Sequence, residues 1–397
     1  MCKTISFFDE PTDFSLVQGG PLFQLLMRAR LLRPPTDLLT RRIVVIVLIT
    51  WLPLLLLSAL SGHAVGGFGV PFFYDLGAQT RLLLCVPLFL AAEVVVHRRI
   101  KLTVRQFLDR GIVAPEDQPQ FESFIVSGMR LRNSVLAEML LLVSTIAVGY
   151  WLGKRYIGMQ TATWYAAPID GQTQVTAAGY WYLFVSLTIF RFLWLRWYFR
   201  LFVWYRFLWQ VSRHVRLRLN ALHPDRAGGI GFLSDSVIAF VPILLAHTVG
   251  IAGTFGNKIW HEGAMLPPFE LEIVAWMVFL MAIVLAPLFF FVTQLADVKR
   301  IGLLEYGLVA SRYVTGFRRK WIEGHSAKDE SLVGTADIQS LADLSNSFEV
   351  VREMRLVPFG RAIVLRLALL TVLPLLPLVL TMIPLEQLIN RTLAAFF

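Results

Sequence analysis

Apolar runs at residues 43–60, 82–96, 135–152, 237–255, 273–292 and 362–383, together with the first 25 or so residues of 180–220, alternate with stretches in which charge collects. A helix needs roughly 20 apolar residues to cross about 30 Å of hydrocarbon, so this spacing predicts an all-α polytopic membrane protein with about seven transmembrane helices. The run at 82–96 is the exception: its 15 residues span only about 22 Å as a helix, and Arg81 and His97 bracket it. The sixth run continues without proline through ADVKRIGLLEYGLVASRYVTGFRRKWIEG, which predicts a helical extension out of the membrane. Farther on, Ile338, Leu341, Leu344, Phe348 and Val351 recur every three or four residues, the mark of an amphipathic helix, with Thr335 as its N-cap and Pro358 as its stop.

The expected organisation follows. Residues 1–42 form an amino-terminal arm with a short amphipathic helix near 21–32, and residues 43–296 hold spans one to six with a basic connection at 97–134. Residues 297–360 make a small cytoplasmic helical subdomain, and 361–397 the seventh span with a short external tail. Residues 154–179 read as a loop. No small-residue cleavage site follows the first apolar run, so no cleaved leader is expected.

Composition agrees with the pattern. Of 397 residues 56% are hydrophobic and 16% charged, and the mean hydropathy is +0.63, values that a water-exposed domain does not tolerate. The net charge of +10 suggests a nucleic-acid binder until the charges are placed. With the amino terminus inside, 27 of the 37 Lys and Arg fall on the cytoplasmic side and five outside, namely Arg81, Lys154, Arg155, Lys258 and Arg391. The positive-inside rule therefore explains the basic balance, and no nucleic-acid partner is expected. Cys2 and Cys85 are too few and too far apart for a disulfide framework or a metal cluster, and no cofactor is implied.

The fourth run carries the most unusual chemistry, with Arg191, Arg196, Arg200 and Arg206 on an aromatic background. Spacings of five, four and six residues spread them over about half the helix circumference, which excludes a voltage-sensor stripe. Arg191 lies near mid-membrane and must meet a partner or line a polar path. Arg191, Arg196 and Arg200, with His247 in the fifth span, are therefore the candidates for an anion path. At a common depth near the cytoplasmic interface come Glu93, Glu138, Arg206, Asp235, Asp297 and Arg366, a charged layer able to close a gate by ion pairing. Arg213, Arg216 and Arg218 follow where the helix leaves the membrane and are placed to meet anionic headgroups.

One loop stands out. In His223-Pro-Asp-Arg-Ala-Gly-Gly-Ile-Gly231 the glycines can turn backbone N–H groups toward an anion, with His223, Asp225, Arg226, Gly228 and Gly229 as the candidate anion-binding turn. It lacks the length and the Lys-Ser/Thr of a P-loop, and HExxH, GxSxG and GxGxxG dinucleotide elements are absent from the sequence.

LHPDRAGGIGFL and GTADIQSLADLSNSFEVVREMRLVPFGR resemble the corresponding strings of a family of bacterial polytopic integral membrane proteins with no assigned activity. The likeness covers roughly residues 40–390 and implies a bacterial inner membrane. Three functions are compatible with these readings. The first is an oligomeric channel or transporter for a small anion, associated with membrane lipids and anionic headgroups. The second is a scaffold that recruits a cytoplasmic protein through 297–360. The third is a membrane enzyme acting on phospholipid or lipid-linked substrates through His223, Asp225 and Arg226.

Overall fold

The computed structural model describes residues 14–31, 38–67, 69–157, 163–169, 172–324, 332 and 334–380. Expectations that concern residues 1–13, Arg33 and the tail 381–397 with Arg391 lie outside the described residues. The described residues are mostly helical: α1 Pro21–Arg28, α2 Leu39–Leu60, α3 Leu76–Asp109, α4 Pro115–Arg132, α5 Val135–Ile157, α6 Ala177–His214, α7 Leu233–Glu262, α8 Pro267–Ile322, α9 Ala336–Arg352 and α10 Arg361–Val379. Six of these are long and apolar enough to cross a membrane, and the number rises to seven if α4 and α5, bent by 41° where they meet, count as one span.

Two expectations change. The short second span is the middle of the 34-residue α3, whose helix runs on past both charged ends, so the helix itself is long enough to cross although its apolar run is short. Residues 154–179 contain a two-stranded antiparallel hairpin, β1 Ala166–Ile169 and β2 Gln172–Val175, with Ala166 opposite Val175 and Ile169 opposite Gln172. The indole N–H of Trp164, ahead of β1, donates to Asp75 Oδ2 at 2.9 Å, while Asp75 Oδ1 accepts from Ala78 N and Asn257 Nδ2 at the same distance. One buried carboxylate thus ties the hairpin to the start of α3 and the end of α7. This end of the bundle is called the far end below, and the opposite one, with the basic connections, the basic end.

α3, α6 and α7 supply most of the core, where Trp197, Trp204, Phe207, Phe89 and Phe240 are buried together. Pro53 has its backbone consequence met by a side chain. Pro53 in α2 cannot donate to the carbonyl of Ile49, and Trp181 Nε1 from α6 does so instead at 3.1 Å. Next to it, Ser186 Oγ donates to Thr50 O at 2.6 Å. α8 tightens to a 3-10 turn over Ala286–Phe291, at Pro287, before its long extension.

The extension and α9 form an antiparallel pair. Tyr313 donates to the carbonyl of Asp337, and Lys320 Nζ and Trp321 Nε1 reach the Asp337 carboxylate at 3.0 and 2.9 Å. Thr335 occupies the N-cap position, but its hydroxyl turns to Leu332 O and leaves the cap bond unmade.

Residues 14–20, expected as part of a surface arm, form an inserted strap. Phe14, Leu16 and Val17 are fully buried, Phe14 stacks on Phe207 with ring centroids 4.6 Å apart, and its ring fits where Gly128 of α4 leaves room. Only after this strap does α1 emerge, burying Phe23 and Leu26 while Leu25 and Met27 stay exposed.

Candidate functional site

Two features stack along the bundle: a buried charge cluster toward the basic end and a cavity toward the far end. Glu93 of α3 is the centre of the cluster. Its Oε1 accepts from Arg200 Nη2 at 2.8 Å and Arg196 Nη1 at 3.4 Å, and its Oε2 pairs with Arg42 Nη1 at 2.9 Å. Arg196 also reaches Glu138 Oε1 through Nε and Nη2, at 3.1 and 3.0 Å. Arg42 Nη2 donates to Leu90 O, and the Arg200 guanidinium lies over the Trp197 ring, 4.6 Å from its centroid. All five of these charged side chains are at most 7% exposed.

The strap closes this cluster from below. Glu138 Oε2 accepts the backbone N–H of Leu22 at 2.8 Å, so a carboxylate sits on the N-terminus of α1 where the helix dipole favours it. Arg132 donates to the carbonyl of Ser15, and Ser15 Oγ meets His97 Nδ1 at 2.9 Å. Gly19 and Gly20 take φ of +135° and +88°, and a Cβ on Gly20 would stand 2.8 Å from Glu138 Oε1. Backbone conformation and space both require glycine there.

The sequence-derived charged layer is thereby redrawn. Glu93 and Glu138 belong to one cluster, bridged by Arg196, and their partners are Arg196 and Arg200, expected on the anion path, together with Arg42. Arg206 instead donates to Ser127 Oγ at 3.1 Å. Asp235 and Arg366 are exposed, and Asp297 pairs with Arg300 at 3.6 Å on the surface. Arg42 and Arg132 were missed because both lie in flanking segments whose positive charge the positive-inside pattern already explains. Their one usable signal was position, within a turn of an apolar run.

Toward the far end a cavity of about 470 Å³ lies among α3, α5, α6, α7 and α8, mostly apolar but with Arg81, Arg191, Lys258 and a single carboxylate, Glu272, on its walls. Arg191 is accommodated by Gly149 of α5, where a Cβ would come within 2.8 Å of Nη1. Arg81 is oriented by Tyr182 OH at 3.0 Å and Thr254 Oγ1 at 3.4 Å. Both Arg81 and Tyr182 belong to π-helical turns, Thr80–Cys85 and Tyr182–Ser186, a distortion frequent at functional sites. Lys258 Nζ stands 5.1 Å from the Phe269 ring centroid.

His247 forms part of the cavity floor with Trp194 and Phe89. Trp194 Nε1, which can only donate, reaches His247 Nε2 at 2.7 Å; Tyr198 OH lies 2.9 Å from the same atom, and Nδ1 is 2.7 Å from Ile243 O. The bonds fit one form of the ring, neutral with its proton on Nδ1. His247 is a hydrogen-bonded floor. Below it Trp197 donates to Phe89 O at 3.1 Å, and then the Glu93 cluster begins.

The HPDRAGG turn lies apart, on the 353–355 segment that follows α9. Its N–H groups do converge on an anion, and the anion is the chain's own. Asp225 accepts from Ala227 N at 2.8 Å, Gly229 N at 3.1 Å and Gly231 N at 2.8 Å, and His223 Nδ1 lies 2.9 Å from its Oδ1. Burial works to raise the Asp225 carboxyl, but these donors outweigh it and hold it below the usual carboxylate range. Arg226, Gly228 and Gly229 take the positive φ values the turn needs. Arg226 pairs with Glu353, and Arg355 donates to Asp225 O at 2.6 Å from its side chain and to Arg226 O at 2.7 Å from its backbone. With Asp225 taking up these N–H groups, the turn is a docking joint between the 223–231 loop and the end of α9.

Among the described residues no group of three or more His, Cys, Asp or Glu side chains is arranged to hold a metal ion. No protein-family model, curated protein or solved structure matches this chain. The resemblance carried by the two sequence strings therefore brings no activity with it, although the structure packs those strings against each other at Asp225, Arg226 and Arg355.

Proposed function

We propose that the chain is a membrane transporter for an anion, with the Arg81–Arg191–Lys258 cavity as its binding site and the Glu93 cluster with its strap as the closed gate. In this reading it crosses a bacterial inner membrane seven times, amino terminus inside. The basic end faces the cytoplasm, and the exposed Arg213, Arg216 and Arg218 meet anionic headgroups there. The observation that carries it is the make-up of the cavity. Three cationic side chains and one carboxylate share apolar walls, which is the composition of a site that fixes a ligand by a few placed polar groups. A floor of Trp194, His247 and Phe89, then the ion pairs of Glu93, then Phe14–Val17 separate it from the basic end. That series of barriers favours alternating access over an open channel. Arg196 and Arg200 enter the path when the gate rearranges and their bonds to Glu93 and Glu138 exchange.

Anion binding to the folded chain raises its melting temperature by mass action. Benzoate and nitrate are suitable probes. A shift in the parent protein that disappears in Arg191→Gln supports the site, and no shift with either anion, or equal shifts in both proteins, counts against it.

A second reading, that the α8 extension binds another protein, is favoured by Leu304, Leu308 and Ile322, which are 71%, 54% and 72% exposed beyond the span. A photo-crosslinking amino acid at Leu304 in living cells tests it: a discrete protein adduct supports the reading, and adducts with lipid alone remove it.

A further inference from the structure

The walls of the cavity belong to helices that have different neighbours. α5 packs on α6 and carries Thr145 and Val148, while the membrane part of α8 packs on α7 and α10 and carries Glu272 and Trp276. At the rim, Val148 is 46% and Trp276 39% exposed. Each continues a band of exposed apolar side chains on its own helix: Met139, Val143 and Ile146 on α5, and Val274, Val278 and Phe279 on α8. In a chain this apolar those bands face hydrocarbon. The cationic groups are distributed by depth. Arg81 and Lys258 stand near the far ends of α3 and α7, Arg191 is deeper, and apolar side chains such as Phe190, Leu195 and Ile251 line the same cavity.

We infer that the cavity is a cleft open sideways to the bilayer, and that its ligand is a single-chain amphiphile with one carboxylate head, a fatty-acid-like anion. The head sits among Arg81, Lys258 and Arg191, and the tail lies along the Phe190–Trp194 and Ile251–Phe255 faces. Charge complementarity selects the head, because the three cations on the walls outnumber Glu272 on the same walls and Asp75, which lies close to Arg81. The apolar lining selects the tail, because a small hydrated anion would forfeit its water against it and gain no apolar contact. Volume sets the size: about 470 Å³ suits a drug-sized molecule and is small for a two-chain phospholipid. The lateral opening supplies the route, since such an anion partitions into the bilayer before it meets the protein. The inference deepens the transport reading and rests on its assignment of the cavity as the anion site.

The test uses the full chain in phosphatidylcholine nanodiscs and a diazirine-bearing palmitate, with labelled peptides mapped by mass spectrometry. Label is expected on the α5, α6 and α8 walls at Val148, Phe190 and Trp276. It is expected to fall about tenfold or more when Arg81, Arg191 and Lys258 are all changed to Gln, as the loss of charge-assisted contacts gives, in a variant whose melting temperature stays close to the parent's. Palmitate should compete, and palmityl alcohol and acetate should not. Label spread evenly over the lipid-facing bands, label retained in the folded triple variant, or competition by acetate as strong as by palmitate overturns the inference. A disulfide between two copies through Val148→Cys likewise overturns it, by giving the cleft to a second protomer. Saturable palmitate binding without flux in sealed vesicles upholds it while removing the transport reading. Nitrate flux that palmitate leaves untouched does the reverse.

Discussion

Arg200 of α6 donates to Glu93 of α3 at 2.8 Å with both side chains under 5% exposed, at the centre of a cluster that also takes in Arg42, Arg196 and Glu138. A carboxylate shared by three guanidiniums is the point at which this cluster is most sensitive. Glu93→Ala leaves three buried cations with Glu138 alone and is expected to lower stability by about 3–5 kcal/mol, the range for breaking a buried pair. Arg206→Ala, removing a half-buried group bonded to Ser127 Oγ, is expected to cost about 1 kcal/mol. Thermal unfolding of both in the same detergent checks the contrast.

The strap depends on glycine where it passes Glu138. Gly20→Val places a side chain at φ +88° and against Glu138 Oε1, so the segment from Phe14 to Gly20 is expected to lift from its groove while the helices stay folded. Alkylation of a cysteine placed at Leu16, which is 0% exposed, reads this directly. It should be slow in the parent background and faster by about tenfold or more with Gly20→Val, in line with a change of roughly 1.4 kcal/mol in opening. An unchanged rate removes the strap from the gate.

The joint at Asp225 has a pH signature. Its carboxyl is held below the usual range in the folded chain by the N–H groups of Ala227, Gly231 and Gly229, against the opposing effect of burial. A depressed folded-state value means stability present above the unfolded carboxylate value, near 3.9, and lost as pH falls through the lower folded one. Hydrogen exchange at residues 351–360 should therefore stay slow at pH 5 and above after correction for intrinsic rates, and accelerate at acid pH. Asp225→Asn should bring the fast exchange to neutral pH. Equal protection in Asp225→Asn and the parent would show that the joint does not depend on the carboxylate.

Much of this was legible in the chain. Apolar runs gave the long helices because burial in lipid demands about 20 apolar residues whatever the neighbours are. The depth of Glu93 and Glu138 placed them at one level. That Arg42 would join them was not legible, since it reads as ordinary interfacial charge and only the fold shows that α2 starts at Leu39 and carries Arg42 inward; Arg132, which holds the strap at Ser15 O, was hidden for the same reason. The length of α3 was hidden for a related reason: hydropathy ends at His97, whereas the helix, packed against α7, ends at Asp109. In the HPDRAGG turn the converging N–H groups could be read from the glycines, but not that Asp225 would fill them. Arg81 and Lys258 counted only as two external cations until the π turns and the end of α7 brought them to the cavity that Arg191 lines.

Flux across sealed liposomes tests the central claim most directly. With the full chain reconstituted and benzoate, nitrate and palmitate each offered in turn, uptake of at least one should be saturable, should be lost on Arg191→Gln, and should survive Arg366→Gln, a change at an exposed residue. Absence of flux for all three anions, or equal flux in the parent and Arg191→Gln, would contradict it.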